Sequence, residues 1–153
     1  MKASGTKAFA APRSRVWSVL NDPAELAKTL PGVESFTVED ETHWTATVKV
    51  PLGLGGLKLR FKFEKIDERP PEHARLHAKG QGVGAIISLD TRFHLAADGD
   101  TTSMDWEADV HVLGQAGSMG QRVLQPIVNQ QVENVLASLE RQVAAQAPKS
   151  DDG

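Results

Sequence analysis

The 153-residue chain carries 17 Lys and Arg against 20 Asp and Glu, a formal charge of −3, and no cysteine. Disulfides, thiol catalysis and thiolate metal sites are excluded together, and the small negative charge has the wrong sign for general nucleic-acid binding. The length suits one domain with a radius of gyration of roughly 15 Å, long enough to bury a core without staples.

The opening MKASGTKAFAAP lacks the apolar centre of a signal peptide. No stretch approaches the ~20 apolar residues that span a bilayer, so a cytoplasmic protein is expected. Residues 3–10 read as a first strand. Pro12 then suits the first turn of a short helix whose apolar side is Val16, Trp17, Val19 and Leu20. Asn21-Asp22-Pro23 ends that helix and starts another, with Asp22 as cap, Pro23 at the first position and Glu25 at the third. The second helix is expected to run to about Leu30 and to stop at Pro31-Gly32.

Six further strands are expected near 33–39, 43–50, 56–66, 73–82, 85–97 and 102–113, separated by short turn sequences that imply antiparallel neighbours. Their alternation is plain. Leu57, Leu59, Phe61 and Phe63 interleave with Lys58, Arg60, Lys62 and Glu64; Ile87, Leu89, Thr91, Phe93 and Leu95 interleave with Ser88, Asp90, Arg92 and His94. Met104, Trp106, Ala108, Val110 and Val112 do the same in the last strand. Each run predicts one apolar and one wet face. The final element is a helix from about Ala116 to Ala145, with Val132, Val135, Leu136, Leu139 and Val143 on one side. Pro126 removes a hydrogen bond to Arg122 and is expected to bend or break it. Residues 1–145 read as a single domain and 146–153 as a disordered polar tail.

The order is an α+β arrangement: strand, two short helices, six strands, one long helix. A curved seven-stranded antiparallel sheet with one apolar face needs a cover, and the long helix supplies it. The space between them is the expected site. Its candidate lining on the sheet is Val48, Leu59, Phe61, Leu76, Ile87, Leu89, Phe93 and Trp106. Met119, Val123 and Ile127 follow at a spacing of four along the helix. Gly80 and Gly82 continue the inward parity of Ala74, Leu76 and Ala78, leaving room for a ligand or for a bulge. Two polar groups are placed to face inward, Thr91 between Leu89 and Phe93, and Gln131 one turn before Val135.

The five histidines, His43, His73, His77, His94 and His111, fall on the outward register, and no spacing suggests a metal site. A catalytic base tuned near neutrality needs burial or a charged neighbour, so catalysis is not expected and no catalytic residue is assigned. Gly80-Gln81-Gly82-Val83-Gly84 runs into a strand and is not a dinucleotide fingerprint. Lys58, Arg60 and Lys62 form an outward stripe, with Lys65 nearby, that would suit docking to an acidic partner or an anionic membrane.

Several segments resemble the CoxG family, whose namesake is a component of carbon monoxide dehydrogenase, within the helix-grip (SRPBCC) superfamily of START-type carriers and polyketide cyclase-like proteins. They are Ala11-Pro12 with Val16-Trp17, Leu20-Asn21-Asp22-Pro23, and Leu30-Pro31-Gly32-Val33-Glu34-Ser35. Later come Gly80-Gln81-Gly82, Trp106-Glu107-Ala108-Asp109, and the run from Gly114 to Arg122. The resemblance implies a helix-grip (START-like) fold and places Leu30 at the cavity mouth. It implies a non-enzymatic accessory protein that assists maturation or membrane attachment of a molybdenum hydroxylase, or holds a quinone or other isoprenoid for such an enzyme; no metal or covalent cofactor is expected. Thr91 or Gln131 would then hydrogen-bond a carbonyl of the cargo. A cyclase- or hydrolase-like enzyme on the same fold, and an assembly factor acting through its outer face, are the alternatives. The short polar tail departs from longer family members, which leaves at most peripheral membrane contact as the expectation.

Overall fold

The computed structural model describes residues 1–51 and 56–145; the expected polar tail at 146–153 lies outside the described residues. The strands are β1 (Lys2–Phe9), β2 (Val33–Val38), β3 (His43–Val50), β4 (Leu57–Arg69), β5 (His73–Gly82), β6 (Ala85–Asp98) and β7 (Thr101–Leu113). They form one sheet in the order β1-β7-β6-β5-β4-β3-β2, with every neighbouring pair antiparallel. Consecutive strands from β2 to β7 are neighbours in the sheet. The first strand closes the other edge by pairing with the last, Gly5 opposite Trp106 and Phe9 opposite Thr102.

Between β1 and β2 lie α1 (Arg13–Leu20) and α2 (Pro23–Ala27). Helix α1 buries Val16, Trp17, Val19 and Leu20, the side expected from their spacing. Asp22 caps α2 by accepting from the Ala24 N–H at 2.9 Å, and Pro23 occupies the first helical position. This helix is shorter than its sequence suggested. It ends at Ala27, and the Thr29 hydroxyl donates to the Leu26 carbonyl at 2.6 Å as the chain turns toward Pro31.

The final segment also differs from expectation. Gln115–Met119 is a 3-10 turn, Gly120 follows with φ near +80°, and only then does α3 (Gln121–Ala145) begin. Gly120 makes the break that Pro126 was expected to make; α3 runs through Pro126 as one helix. Lys65 corrects the sequence reading too. It shares the inward parity of Leu57 to Phe63, and its ammonium donates to the Asn21 carbonyl (2.9 Å) and Asn21 Oδ1 (2.7 Å). It thus sits at the C-terminal end of α1, where a cation is favoured by the helix dipole, and not beside Lys62 on the outer stripe. A register shift between Lys65 and Asp67 lies just beyond it.

Two apolar clusters fill the interior. One packs α1 against the far ends of the sheet and α3, through Phe9, Val16, Trp17, Leu20, Phe93 and Leu139 among others. The second lies on the concave face of β3, β4 and β5, around Ala46, Val48, Leu59, Phe61 and Ala78. The space between sheet and α3 connects them.

Candidate functional site

That space is a cavity of about 320 Å³, inside the ~300–1,000 Å³ range of small-molecule sites. Its reality shows in the burial of mid-sheet residues. Leu76, Ile87, Leu89 and Thr91 lie on central strands beneath α3, yet each is only half-buried, because their side chains border open space. The same strands keep ordinary pairing there, with Leu76 opposite Thr91 and Ala78 opposite Leu89. Sheet curvature therefore makes the gap, not a break in the ladder.

From the sheet, Val48, Phe61, Leu76, Ile87, Leu89, Thr91, Phe93 and Trp106 line the cavity, as do Leu30 from the turn before β2 and Ile127 and Gln131 from α3. All of these were candidates from the sequence. Leu59 is fully buried in the second cluster but does not reach the cavity.

Four further candidates are corrected. A Cβ on Gly80 would stand 2.6 Å from the Phe61 ring, and one on Gly82 would stand 2.4 Å from the Lys58 carbonyl oxygen. These glycines make room for the neighbouring strand and its side chains, so the space they vacate is already filled. Met119 and Val123 are largely exposed. The break at Gly120 takes Met119 out of α3, and within α3 Val123 lies toward the outer edge of the helix, one turn before the half-buried Ile127. Carried back from Val132, a spacing of four gives Val128 and Leu124, and both line the cavity. That signal was present in the sequence. Trp44, Phe63, Met104, Ala108, Val110 and Val112 also line it, and each was readable as a same-parity neighbour of a chosen residue.

A few polar groups border this apolar space. Thr29 is satisfied by Leu26. The side chains of Thr91 and Gln131 have no hydrogen-bond partner among the described residues. Trp106 Nε1 is buried and also lacks one; its indole packs over Gly5, where an added Cβ would meet the ring at 3.1 Å. A glycine at position 5 is what lets the ring lie flat against the edge strand. Buried donors and acceptors normally find partners, so Thr91 and Gln131 remain available to water or to a bound molecule. Among the described residues, no His, Asp, Glu, Lys or Arg lines the cavity.

The histidines lie elsewhere. His43 sits 3.1 Å from Asp40 and 3.3 Å from Glu64, His77 3.1 Å from Asp90, His111 3.5 Å from Asp109 and His73 3.7 Å from Asp67. Hydrogen bonding to Asp40 raises the His43 pKa above 6.5, with Glu64 adding to the effect. The Thr42 backbone N–H and His43 together hold Asp40 down at about 2. These are surface pairs on the convex side. Among the described residues, no group of three His, Asp or Glu side chains could hold a metal ion. Of the outward stripe, Lys58 pairs with Glu34 at 3.3 Å, while Arg60 and Lys62 are exposed.

Comparison with known proteins fits this geometry. A conserved protein from Geobacillus kaustophilus superposes with a TM-score of 0.87 at 21% identity, over 95% of this chain and 96% of that one. A START superfamily protein from Mycobacterium smegmatis gives 0.74 at 16% identity, over 94% and 97%. The Zhui aromatase/cyclase from Streptomyces sp. R1128 gives 0.66 at 15% identity, over 97% and 94%. These likenesses establish the START-like helix-grip fold. No curated protein sequence matches. The family model for the carbon monoxide dehydrogenase component CoxG matches residues 5–144, and with that span the chain belongs to the CoxG family.

Proposed function

We propose that this protein is a non-enzymatic carrier of an apolar small molecule, a quinone or other isoprenoid, and serves a molybdenum-hydroxylase enzyme of the carbon monoxide dehydrogenase type. The observation that carries the reading is the cavity itself, large enough for a ligand, apolar, and free of ionisable side chains. Each 100 Å² of apolar ligand surface buried contributes about 2.5 kcal/mol. A hydrogen bond from Thr91 or Gln131 to a ligand carbonyl adds about 0.5–1.5 kcal/mol. Cavity length and shape therefore dominate selection, and the polar pair orients the cargo. A cyclase or hydrolase needs a titratable group within reach of the reacting atoms, and the lining supplies none.

The test is titration with a prenylated quinone while following tryptophan fluorescence. Trp44 and Trp106 line the cavity, so a bound quinone ring should quench them saturably. Emission that changes only linearly with added quinone would contradict the proposal.

A further inference from the structure

The short helix α2 and the turn that follows it cover the cavity without being woven into its walls. Leu26, Thr29, Leu30 and Pro31 line the space. Leu26 packs against the cluster beneath α1, and Leu30 packs against the cluster on β3, β4 and β5. Residues 22–31 therefore bridge the two clusters, with the cavity beneath them.

The backbone of this stretch is self-contained. The Leu26 N–H donates to the Asp22 carbonyl at 2.9 Å, Lys28 to Glu25 at 3.2 Å, Thr29 to Leu26 at 2.9 Å and Leu30 to Ala27 at 3.3 Å. Among the described residues, its backbone bond to the sheet lies at the turn itself, from the Val33 N–H to the Leu30 carbonyl at 3.4 Å, and none reaches α3. Backbone groups need partners wherever they are buried. A piece that finds them within itself can move as a unit without leaving its own unpaired.

Both ends of the piece are fixed. At one, the Lys65 ammonium holds the Asn21 carbonyl and Oδ1. At the other, the Lys49 N–H donates to the Gly32 carbonyl at 2.9 Å. Gly32 has φ near +77°, and a Cβ there would collide with the Lys49 carbonyl oxygen. Between these two points the tie to α3 is made by side chains. Gln142 Nε2 donates to Glu25 Oε1 at 2.7 Å, and the Lys28 ammonium meets the other oxygen of the same carboxylate at 3.1 Å.

We propose that residues 22–31 form a lid that swings on Asn21 and Gly32, is latched to α3 by Glu25 and Gln142, and admits and releases what the cavity holds. Closed, Leu26 and Leu30 complete the apolar wall. Open, the gap between the two clusters is uncovered while the sheet and α3 keep their own hydrogen bonds. Hinged segments of this kind absorb their motion at a few terminal residues. The lid rests on the carrier reading for the nature of its cargo, but its motion is measured with a dye that is not cargo, so the two can fail separately.

The chain has no cysteine, so Glu25→Cys with Gln142→Cys supplies two unique thiols that a short bis-maleimide can bridge across the latch. The full chain, either bridged or capped at each thiol with N-ethylmaleimide, is mixed with the neutral apolar dye N-phenyl-1-naphthylamine in a stopped-flow fluorimeter. Bridging should slow dye uptake and release by at least about ten-fold and leave the extent of binding at equilibrium unchanged. Gln142→Leu removes a hydrogen bond to a charged group and should speed both by about ten-fold. Equal rates in bridged and capped protein would overturn the proposal, and so would a Gln142→Leu variant that exchanges dye like wild type. Dye exchange governed by the bridge, in a protein that binds no prenylated quinone, would support the lid and count against the carrier.

Discussion

Thr91→Phe separates an open cavity from a solid core by the sign of its effect. Thr91 is half-buried at the centre of β6, between Leu76 and Ala108 on the adjacent strands, and its side chain borders the 320 Å³ space. A phenyl ring there enters a void. Filling a void typically gains about 0.5–2 kcal/mol, and at about 2–4 °C per kcal/mol for a chain of this size Tm should rise by about 1–8 °C. Overpacking a filled core costs about 1–3 kcal/mol instead and would lower Tm. The same ring displaces ligand. If it removes about 100 Å² of apolar contact, about 2.5 kcal/mol of affinity is lost, or about 70-fold. Thr91→Val is the control, since it keeps the volume and removes the hydroxyl, and should cost no more than about 1.5 kcal/mol in binding. Calorimetry gives Tm, and quinone titration gives affinity. A fall in Tm for Thr91→Phe, or a rise with unchanged affinity, would refute the reasoning.

Three further outcomes follow from local geometry. Gly82→Ala should destabilise more than Gly80→Ala in urea, by about 1–3 kcal/mol against less, because the first clash is with the Lys58 carbonyl and the second with the Phe61 ring, which can turn. Equal losses would contradict that distinction. Thr102→Val removes a buried hydroxyl that donates to the Ala11 carbonyl at 2.7 Å and should cost about 1–3 kcal/mol; a change under half that would mean water satisfies the carbonyl. His43 has its folded pKa raised above 6.5 by Asp40 and then Glu64, so its contribution is full below about pH 6.5 and is lost as pH rises through the folded value. NMR titration should find the wild-type ring above 6.5 and lower in Asp40→Asn. No difference between the two proteins would remove that pair as the cause.

Much of this architecture was legible because its strands alternate cleanly. The parity of Leu57 to Phe63, Ile87 to Leu95 and Met104 to Val112 assigns the concave face directly, and the cavity is built on it. The Asp22-Pro23 start of α2 was equally readable, since it is chemistry local to the chain. What the sequence hid was relational. Gly80 and Gly82 share the inward parity, but only the cross-strand positions of Phe61 and Lys58 reveal that their space is occupied. Met119 and Val123 read as one helical face until Gly120 takes a positive φ and divides the segment. Lys65 looked like part of a surface stripe because its partner, Asn21, lies 44 residues earlier. Pro126 illustrates the reverse error: a strong local rule yielded to a helix held along its length by Leu124, Leu139 and Val143.

The most direct measurement of the central claim is native mass spectrometry of the protein purified from its own host, followed by organic extraction of what it holds. A carrier should show a population heavier than the chain by the mass of one isoprenoid quinone or related lipid, recovered in the extract and absent from Thr91→Phe. Protein that carries nothing and takes up no added quinone would contradict it.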